Sequence, residues 1–154
     1  MKVRSIMLSV AALFAAVVVC FAADVQMGTW TLNSAKSTFS PNSAKNTTVV
    51  YATAGDSVKV TVDGVDTDGK PTHNEWTGKY DGKDYAVTGD PQSDMRSYVQ
   101  VNDHTLTLTV KQAGKITMTG EVVVSADGKS RTLTMNGTDA KGQKFTNIAV
   151  YNRS

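Results

Sequence analysis

The feature that most constrains the fold of this chain is a short, regular spacing of turn signals along its length. Most of them combine glycine with Asp, Asn or Lys, and glycine, Asp and Asn reach the positive backbone φ angles of tight hairpin turns. Each interval has room for one strand, and sequential strands joined by short turns pair as antiparallel neighbours. The signals lie at residues 54–56, 68–70, 81–83, 102–103, 113–115, 127–129 and 141–143, with a further break at 89–91.

The intervals between these turns alternate apolar and polar residues with a period of two, which predicts half-buried strands. Leu106, Leu108 and Val110 alternate with threonines, which suit an exposed strand face. We predict strands at 27–33, 47–54, 57–63, 72–80, 83–88, 95–101, 105–111, 115–125, 130–138 and 144–151. An open meander leaves two unpaired edges, so we predict an all-β fold, an antiparallel up-and-down meander of about 8–10 strands closed into a barrel.

Residues 1–22 have the composition of a cleavable secretory signal peptide. Lys2 and Arg4 give a positive start, the apolar run 6–21 follows, and Ala22 supplies a small residue before the cut. We therefore predict an exported protein, periplasmic or secreted, in which 23–154 form a single β-barrel domain. The apolar run is shorter than the about 20 residues of a membrane span, so we expect no transmembrane span after cleavage. The alternative is a lipid anchor on Cys20.

The predicted mature domain has no cysteine and no net charge. Without Cys20 it can form neither a disulfide nor a thiolate. Without Lys2 and Arg4, its basic residues equal its 14 acidic residues in number. Nucleic-acid binding needs a basic face, so this balance argues against a nucleic-acid partner. We expect a monomer without a cofactor.

The first and last predicted strands carry a family resemblance. Gly28-Thr29-Trp30 resembles the Gly-x-Trp opening of calycins, which include lipocalins, fatty-acid-binding proteins and avidins, and the strand ending at Tyr151 resembles the closing strand of fatty-acid-binding proteins. The whole of 23–154 also resembles small exported bacterial proteins described as lipocalin-like, in its Asp-Gly-Lys turns and in the Gly-Thr-Asp-Ala-Lys-Gly-Gln stretch at 137–143. The resemblance implies a fatty-acid-binding-protein-like barrel and a small hydrophobic or amphipathic ligand.

The same resemblance implies a role for Trp30. In calycins this tryptophan plugs the base of the barrel, and a basic residue of the last strand covers its ring; Arg153 is the nearest candidate here. Where fatty-acid-binding proteins insert two helices, this chain has only the linker 34–46 with Pro41. This linker is a candidate cap for one end of the barrel.

Strand alternation predicts which side chains face the interior. The inward set includes Met95, Val99, Val101 and Ile116, and a barrel of about eight to ten strands can hold a small apolar ligand. The interior residues that we predict to line such a site are Trp30, Trp76, Tyr80, Tyr85, Ser97, Leu106, Leu108, Met118, Arg131 and Met135.

Arg131 is the one charged member of this predicted site. It shares the phase of Leu133 and Met135, and an inward guanidinium could hold a carboxylate by charge-assisted hydrogen bonds. The alternative places Arg131 at the rim, solvated beside the turn at 129–130. Ser97 belongs to the site because it shares the phase of Met95 and Val99.

Residues with catalytic or metal-binding chemistry lack the required spacing. His73 and Glu75 share a strand face but fit a solvated face better than an acid–base pair. Asp63, Asp66 and Asp68 do not follow the alternate spacing of a calcium loop, so we assign no metal site and no catalytic residue.

The leading hypothesis is an exported lipocalin-like protein that binds a small hydrophobic or amphipathic molecule. The alternatives are a structural or interaction module with a filled core and, less favoured, a barrel hydrolase or isomerase; enzymatic activity therefore stays open.

Overall fold

The computed structural model describes residues 24–139 and 141–154, which form ten antiparallel strands closed into one barrel. The strands are β1 (Gly28–Leu32), β2 (Lys45–Ala54), β3 (Ser57–Val65), β4 (Pro71–Gly78), β5 (Tyr85–Thr88), β6 (Met95–Asn102), β7 (Thr105–Gln112), β8 (Lys115–Val124), β9 (Ser130–Thr138) and β10 (Lys144–Arg153). Each pairs with its neighbours in sequence, and β1 also pairs with β10. The predicted closed meander is confirmed, and a calycin-like barrel fits it.

The signal peptide predicted at 1–22 and the predicted lipid anchor Cys20 lie outside the described residues. Within the described part of the chain, no helix has the length and apolar character to cross a bilayer.

The Asp-Gly-Lys turns end the strands where the sequence predicts. At the β8–β9 turn, the Asp127 carboxylate accepts the backbone N–H of Lys129 at 3.0 Å, and Gly128 has a φ of +68°. An L side chain rarely adopts that φ, so glycine is the residue that lets the chain reverse here.

The core lies inside the barrel and is formed by alternate residues of the strands. The buried apolar side chains are Trp30, Val49, Tyr51, Val60, Val62, Trp76, Val87, Tyr98, Leu106, Leu108, Val110, Val122, Val124, Ala149 and Tyr151. Partly buried side chains, among them Met118, Leu133 and Met135, pack against this cluster.

The phase of β6 is the reverse of the predicted one. Arg96 and Tyr98 are buried, whereas Met95, Val99 and Val101 lie 39%, 45% and 58% exposed on the outer face. The Tyr98 ring packs edge-on against Trp76 inside the barrel. A large aromatic ring buries more apolar area than a valine, and this outweighs the aliphatic alternation on which the prediction depended.

Ile116 is also outside the core, with 63% of its surface exposed. The β7–β8 pairing shifts register here, since Val110 pairs with Met118 but Lys111 pairs with Ile116. A β-bulge of this kind breaks the two-residue alternation. The predicted inward position of Ile116 is therefore wrong.

The two ends of the barrel differ in construction. The end where β1 begins, here called the Trp30 end, carries the β2–β3, β4–β5, β6–β7 and β8–β9 turns and the C-terminus. The opposite end, here called the linker end, carries the β3–β4, β5–β6, β7–β8 and β9–β10 turns and the connection 33–44.

The connection 33–44 begins with a short 3₁₀ helix, Ser34–Lys36, and lies along β10. Thr38 pairs with Ile148, and the backbone N–H of Ser40 donates to the side chain of Asn147 at 2.8 Å. Phe39 packs against the core. The linker predicted as a cap therefore continues the wall of the barrel beside β10 at the linker end.

We expect Trp30→Ala to lower the free energy of unfolding by about 3–5 kcal/mol, because it removes a fully buried ring. Urea denaturation of both proteins measures the difference. Thr31→Ala, on the outer face of the same strand, is the matched control and should change little. A loss below about 1 kcal/mol for Trp30→Ala would contradict the plug assignment.

Candidate functional site

Aromatic side chains with polar tips fill much of the barrel interior. Three of the five tyrosines, Tyr51, Tyr98 and Tyr151, are buried in the core, and Tyr80 and Tyr85 pack against it. Both tryptophans are buried with them. The interior is therefore apolar in area but carries several hydroxyl groups.

Trp76 links the aromatic rings of β4, β5 and β6. Its ring centroid lies 4.8 Å from that of Tyr98 and 5.8 Å from that of Tyr85, both in edge-to-face geometry. Its Nε1 donates to the backbone carbonyl of Arg96 at 2.9 Å. Such ring pairs contribute about 0.5–1.5 kcal/mol each beyond their burial, and they hold this part of the interior in place.

Trp30 closes one end of the barrel under Arg153. The guanidinium carbon lies 4.2 Å from the Trp30 ring centroid, and the guanidinium donates to the backbone carbonyls of Val25, Met27 and Gly128. The indole Nε1 donates to the carbonyl of Gln26 at 2.8 Å. Arg153 thus occupies the place that the calycin resemblance implies, and it fastens residues 24–27 across the Trp30 end.

Arg131 approaches the same tryptophan from inside the barrel. Its side chain is buried, with 2% exposed, and its guanidinium carbon lies 5.1 Å from the Trp30 ring centroid. The centroids of Tyr51 and Tyr151 are each 4.9 Å away. The solvated rim position that the sequence left open for Arg131 is therefore wrong.

The Arg131 guanidinium has no anionic partner. No carboxylate of residues 24–139 and 141–154 lies within ion-pairing distance, and Nε and Nη1 make no hydrogen bond in the described structure. The surrounding rings offset part of the cost, since a desolvated cation–π contact contributes about 2 kcal/mol. An unpaired buried charge costs several kcal/mol.

The tyrosines beside Arg131 are neutral hydrogen-bonding groups at physiological pH. Burial raises the pKa of Tyr151 to about 12, against a smaller lowering by the Arg131 charge. Burial, reinforced by the Tyr98 hydroxyl, also raises the pKa of Tyr51. The pKa of Tyr80 is raised by burial as well. The Tyr151 hydroxyl donates to the backbone carbonyl of Asn46 at 3.2 Å. Within the described part of the chain, the two tyrosines on Arg131 therefore add no negative charge to its surroundings.

A second polar cluster lies on β4, β6 and the β5–β6 turn. Arg96 Nη2 lies 3.8 Å from the carboxylate of Asp90, which also accepts the Ser93 hydroxyl at 2.6 Å. Asn74 is buried, and its side-chain oxygen has no hydrogen-bond partner in the part of the chain described. Arg96 therefore has a carboxylate nearby, whereas Arg131 has none among the residues that the structure describes.

The structure places all but one of the predicted site residues inside the barrel. The buried ones are Trp30, Trp76, Leu106, Leu108 and Arg131, and the partly buried ones are Tyr80, Tyr85, Met118 and Met135. Ser97 is also buried, but it alternates with the inward Arg96 and Tyr98 and pairs with Thr109. It therefore lies on the other face of β6, and its predicted interior position is wrong. That the nine inward residues contact a ligand stays a prediction.

Sequence reasoning missed Tyr51, Tyr98 and Tyr151. Tyr98 was missed because the prediction placed the wrong face of β6 inward. Tyr51 shares its phase with buried Val49, and Tyr151 shares its phase with Ala149. In β10 the apolar run 148–151 has no polar residue that would mark the outer face. Only the pairing of β10 with β9 shows that Ala149 and Tyr151 face inward.

The polar residues weighed for acid–base or metal chemistry lie on the outer surface. His73 Nδ1 is 2.6 Å from a carboxylate oxygen of Asp63, and Nε2 is 3.7 Å from Glu75, with all three side chains well exposed. Over the residues that the structure describes, no three His, Cys, Asp or Glu side chains come together as a metal site.

A groove of about 490 Å³ lies on the outer face of β7–β9. Its lining is mainly hydroxyl-bearing and includes Thr107, Thr109, Thr119 and Thr134. It contains no buried charge, and ligand sites typically combine apolar lining with a few convergent polar groups. The groove therefore does not resemble a typical ligand site.

The chain matches no protein-family model and no curated protein sequence. Among solved structures it is similar to a redesigned β-barrel, mFAP1, bound to DFHBI. The two are 17% identical, the alignment covers 86% of this chain and 98% of that barrel, and the TM-score is 0.44.

Arg131 and Arg153 both contact Trp30, but we expect their replacement to change the free energy of unfolding in opposite directions. Arg131→Met removes an unpaired buried charge, so we expect the free energy of unfolding to rise by about 1 kcal/mol or more. Arg153→Met removes three hydrogen bonds that close the Trp30 end, so we expect a loss of about 1–3 kcal/mol. Urea denaturation without ligand measures both. Equal losses in the two variants would show that Arg131 is a structural clamp.

We expect stability to fall when the pH rises above about 10, the ordinary tyrosine pKa. In the folded chain the pKa of Tyr151 is about 12 and that of Tyr51 is also raised. Above pH 10 the unfolded state therefore loses protons that the folded state keeps, so unfolding becomes easier, whereas below pH 10 both states stay protonated. Urea denaturation between pH 8 and 11, with phenolate absorbance, tests this; Tyr151→Phe should flatten the dependence. Phenolate signals at ordinary pH values in the folded chain would contradict it.

Proposed function

We propose that this chain binds a small amphipathic molecule inside its barrel and holds an acidic group of that molecule at Arg131. The observation that carries the proposal is the buried Arg131 guanidinium, which lies among three aromatic rings and has no carboxylate partner among residues 24–139 and 141–154. A carboxylate or a similar anion would complete it.

The geometry around Arg131 favours an anion over a neutral polar group. Guanidinium N–H groups form charge-assisted hydrogen bonds with a carboxylate, and Nε and Nη1 make no hydrogen bond with residues 24–139 and 141–154. The neutral tyrosines Tyr51 and Tyr151 beside it add no repulsion. Beyond the acidic group, the ligand would contact rings and aliphatic side chains, which favours an apolar body.

The export of this binding protein is part of the proposal and depends on residues 1–22. A positive start, an apolar run and a small residue before the cut are typical of a secretory signal peptide. A periplasmic or secreted carrier or scavenger of acidic amphiphiles would follow. Lipid attachment at Cys20 is the alternative for localisation.

A filled-core interaction module is the second candidate, and one observation favours it. Glycines on the inner face are covered by neighbouring side chains, as Gly120 is by Met135 and Gly137 by Phe145 and Met118. In that case Arg131 would be held by the rings alone, and small amphiphiles would not bind.

Calorimetric titration with decanoate and with decanol, its uncharged counterpart, separates the two candidates. We expect the wild-type chain to bind decanoate more tightly than decanol. Arg131→Met should weaken decanoate binding by about 30-fold or more, because it removes the charge partner, and leave decanol binding unchanged. Arg96→Met is the matched control at the arginine that has a carboxylate nearby, and it should have a much smaller effect.

Two results would overturn the proposal. One is the absence of binding for both compounds at millimolar concentration, with no thermal stabilisation. The other is equal decanoate affinity in the wild type and Arg131→Met.

A further inference from the structure

The outer face of β3 and β4 carries a charged cluster that the interior site does not use. Asp63 of β3 pairs directly with His73 of β4, and Glu75 lies two residues further along β4 on the same face. Lys59 of β3 forms an ion pair with Glu75, with Nζ 2.7 Å from Oε1. The side chains of His73 and Asp63 are more than half exposed, so solutes reach the cluster from the solvent.

The hydrogen bond to Asp63 fixes the tautomer of the His73 ring. Nδ1 lies 2.6 Å from Oδ1 of Asp63, and an ionised carboxylate only accepts hydrogen bonds. Nδ1 therefore carries the proton, and Nε2 of the neutral ring has a lone pair. Metal-binding histidines have this arrangement, in which one ring nitrogen donates to a carboxylate and the other binds the metal. The same hydrogen bond raises the pKa of His73, which makes the ring a stronger ligand.

Nε2 of His73 and the Glu75 carboxylate have nearly the separation of two ligands on one zinc ion. Nε2 and Oε1 are 3.7 Å apart. Zinc bonds to imidazole nitrogen and to carboxylate oxygen are about 2.0–2.2 Å long, so two such ligands at a tetrahedral angle lie about 3.4 Å apart. Both side chains reach the solvent, and a small rotation of either one closes the difference.

We propose that the outer face of β3 and β4 binds a divalent transition-metal ion, with Nε2 of His73 and the carboxylate of Glu75 as its ligands and Asp63 as the residue that orients His73. Imidazole together with a carboxylate suits Zn²⁺, whereas Ca²⁺ and Mg²⁺ take oxygen ligands. Two protein ligands leave the other coordination positions to water. This site is separate from the interior around Arg131, and either proposal can fail without the other.

Lys59 opposes metal binding at this site. Its ammonium group contacts Oε1 of Glu75, the oxygen that also faces His73, and its charge has the same sign as that of the metal. A metal ion therefore has to displace the ammonium group or share the carboxylate with it. We expect Lys59→Met to bind zinc more tightly than the wild type.

Isothermal titration calorimetry of the full chain with zinc chloride tests the site. The chain carries no affinity tag and has Cys20→Ala, which removes its single thiol, because a thiolate is itself a zinc ligand. The variants are His73→Ala and Glu75→Gln at the two ligands and Asp63→Ala at the orienting carboxylate. His104→Ala, at the other of the two histidines, is the matched control.

We expect zinc binding at one ion per chain, lost in His73→Ala and unchanged in His104→Ala. Glu75→Gln and Asp63→Ala should each weaken binding by about tenfold or more, since loss of an outer carboxylate alone has an effect of this size. Equal zinc affinity in the wild type and Glu75→Gln would reduce the site to a lone imidazole and overturn the proposal. Zinc binding that survives in His73→Ala would overturn it as well.

The ring signals of the two histidines separate the ligand from the orienting residue. In a proton–nitrogen NMR spectrum, zinc should shift the Nε2 signal of His73 and leave the His104 ring unchanged. In Asp63→Ala the tautomer is no longer fixed, so zinc should bind His73 through Nδ1 and through Nε2. A purely structural role of Asp63 would not change the binding nitrogen. Zinc shifts at His104 instead of His73 would contradict the assignment.

Discussion

The closure of β1 against β10, with Trp30 sealed beneath Arg153, is the contact on which the rest of the barrel depends. β1 has only five residues, and its ladder with β10 is short. The backbone pairing alone contributes few hydrogen bonds to the closure. The Trp30 indole and the Arg153 guanidinium add further contacts there. Because closure removes the sheet edges, it also creates the enclosed interior in which Arg131 lies.

The two arginines on Trp30 show how one residue type can serve two purposes. Arg153 lies at the surface, where backbone carbonyls satisfy its donors, and it stabilises the closed end. Arg131 lies in the interior, where aromatic faces surround it and no carboxylate of the described residues lies within ion-pairing distance. A fold that needed only stability would favour an apolar residue at the second position. The buried charge is therefore the feature on which the proposed ligand site depends.

The sequence predicted the strands closely because their determinants are local. The bounds of β3, β7 and β9 agree with the alternation of apolar residues and threonines and with the glycine turns. Trp30 and Trp76 were placed correctly inside the barrel for the same reason. The prediction failed at β6, where Tyr98 is inward and Val99 outward, and at Ile116, where a bulge shifts the register. In both places the side chain's direction depends on contacts with another strand.

The sequence by itself determined the fold class, the number of strands and most of the inward phase, because hairpin turns and two-residue alternation act between neighbours along the chain. Only the tertiary structure decided that Tyr51, Tyr151 and Trp30, from three different strands, surround Arg131. It also decided that the Trp30 end is closed by Arg153. These features arise from the closure of the cylinder, which brings together strands from the two ends of the chain, and no local pattern encodes which side chains then face one another.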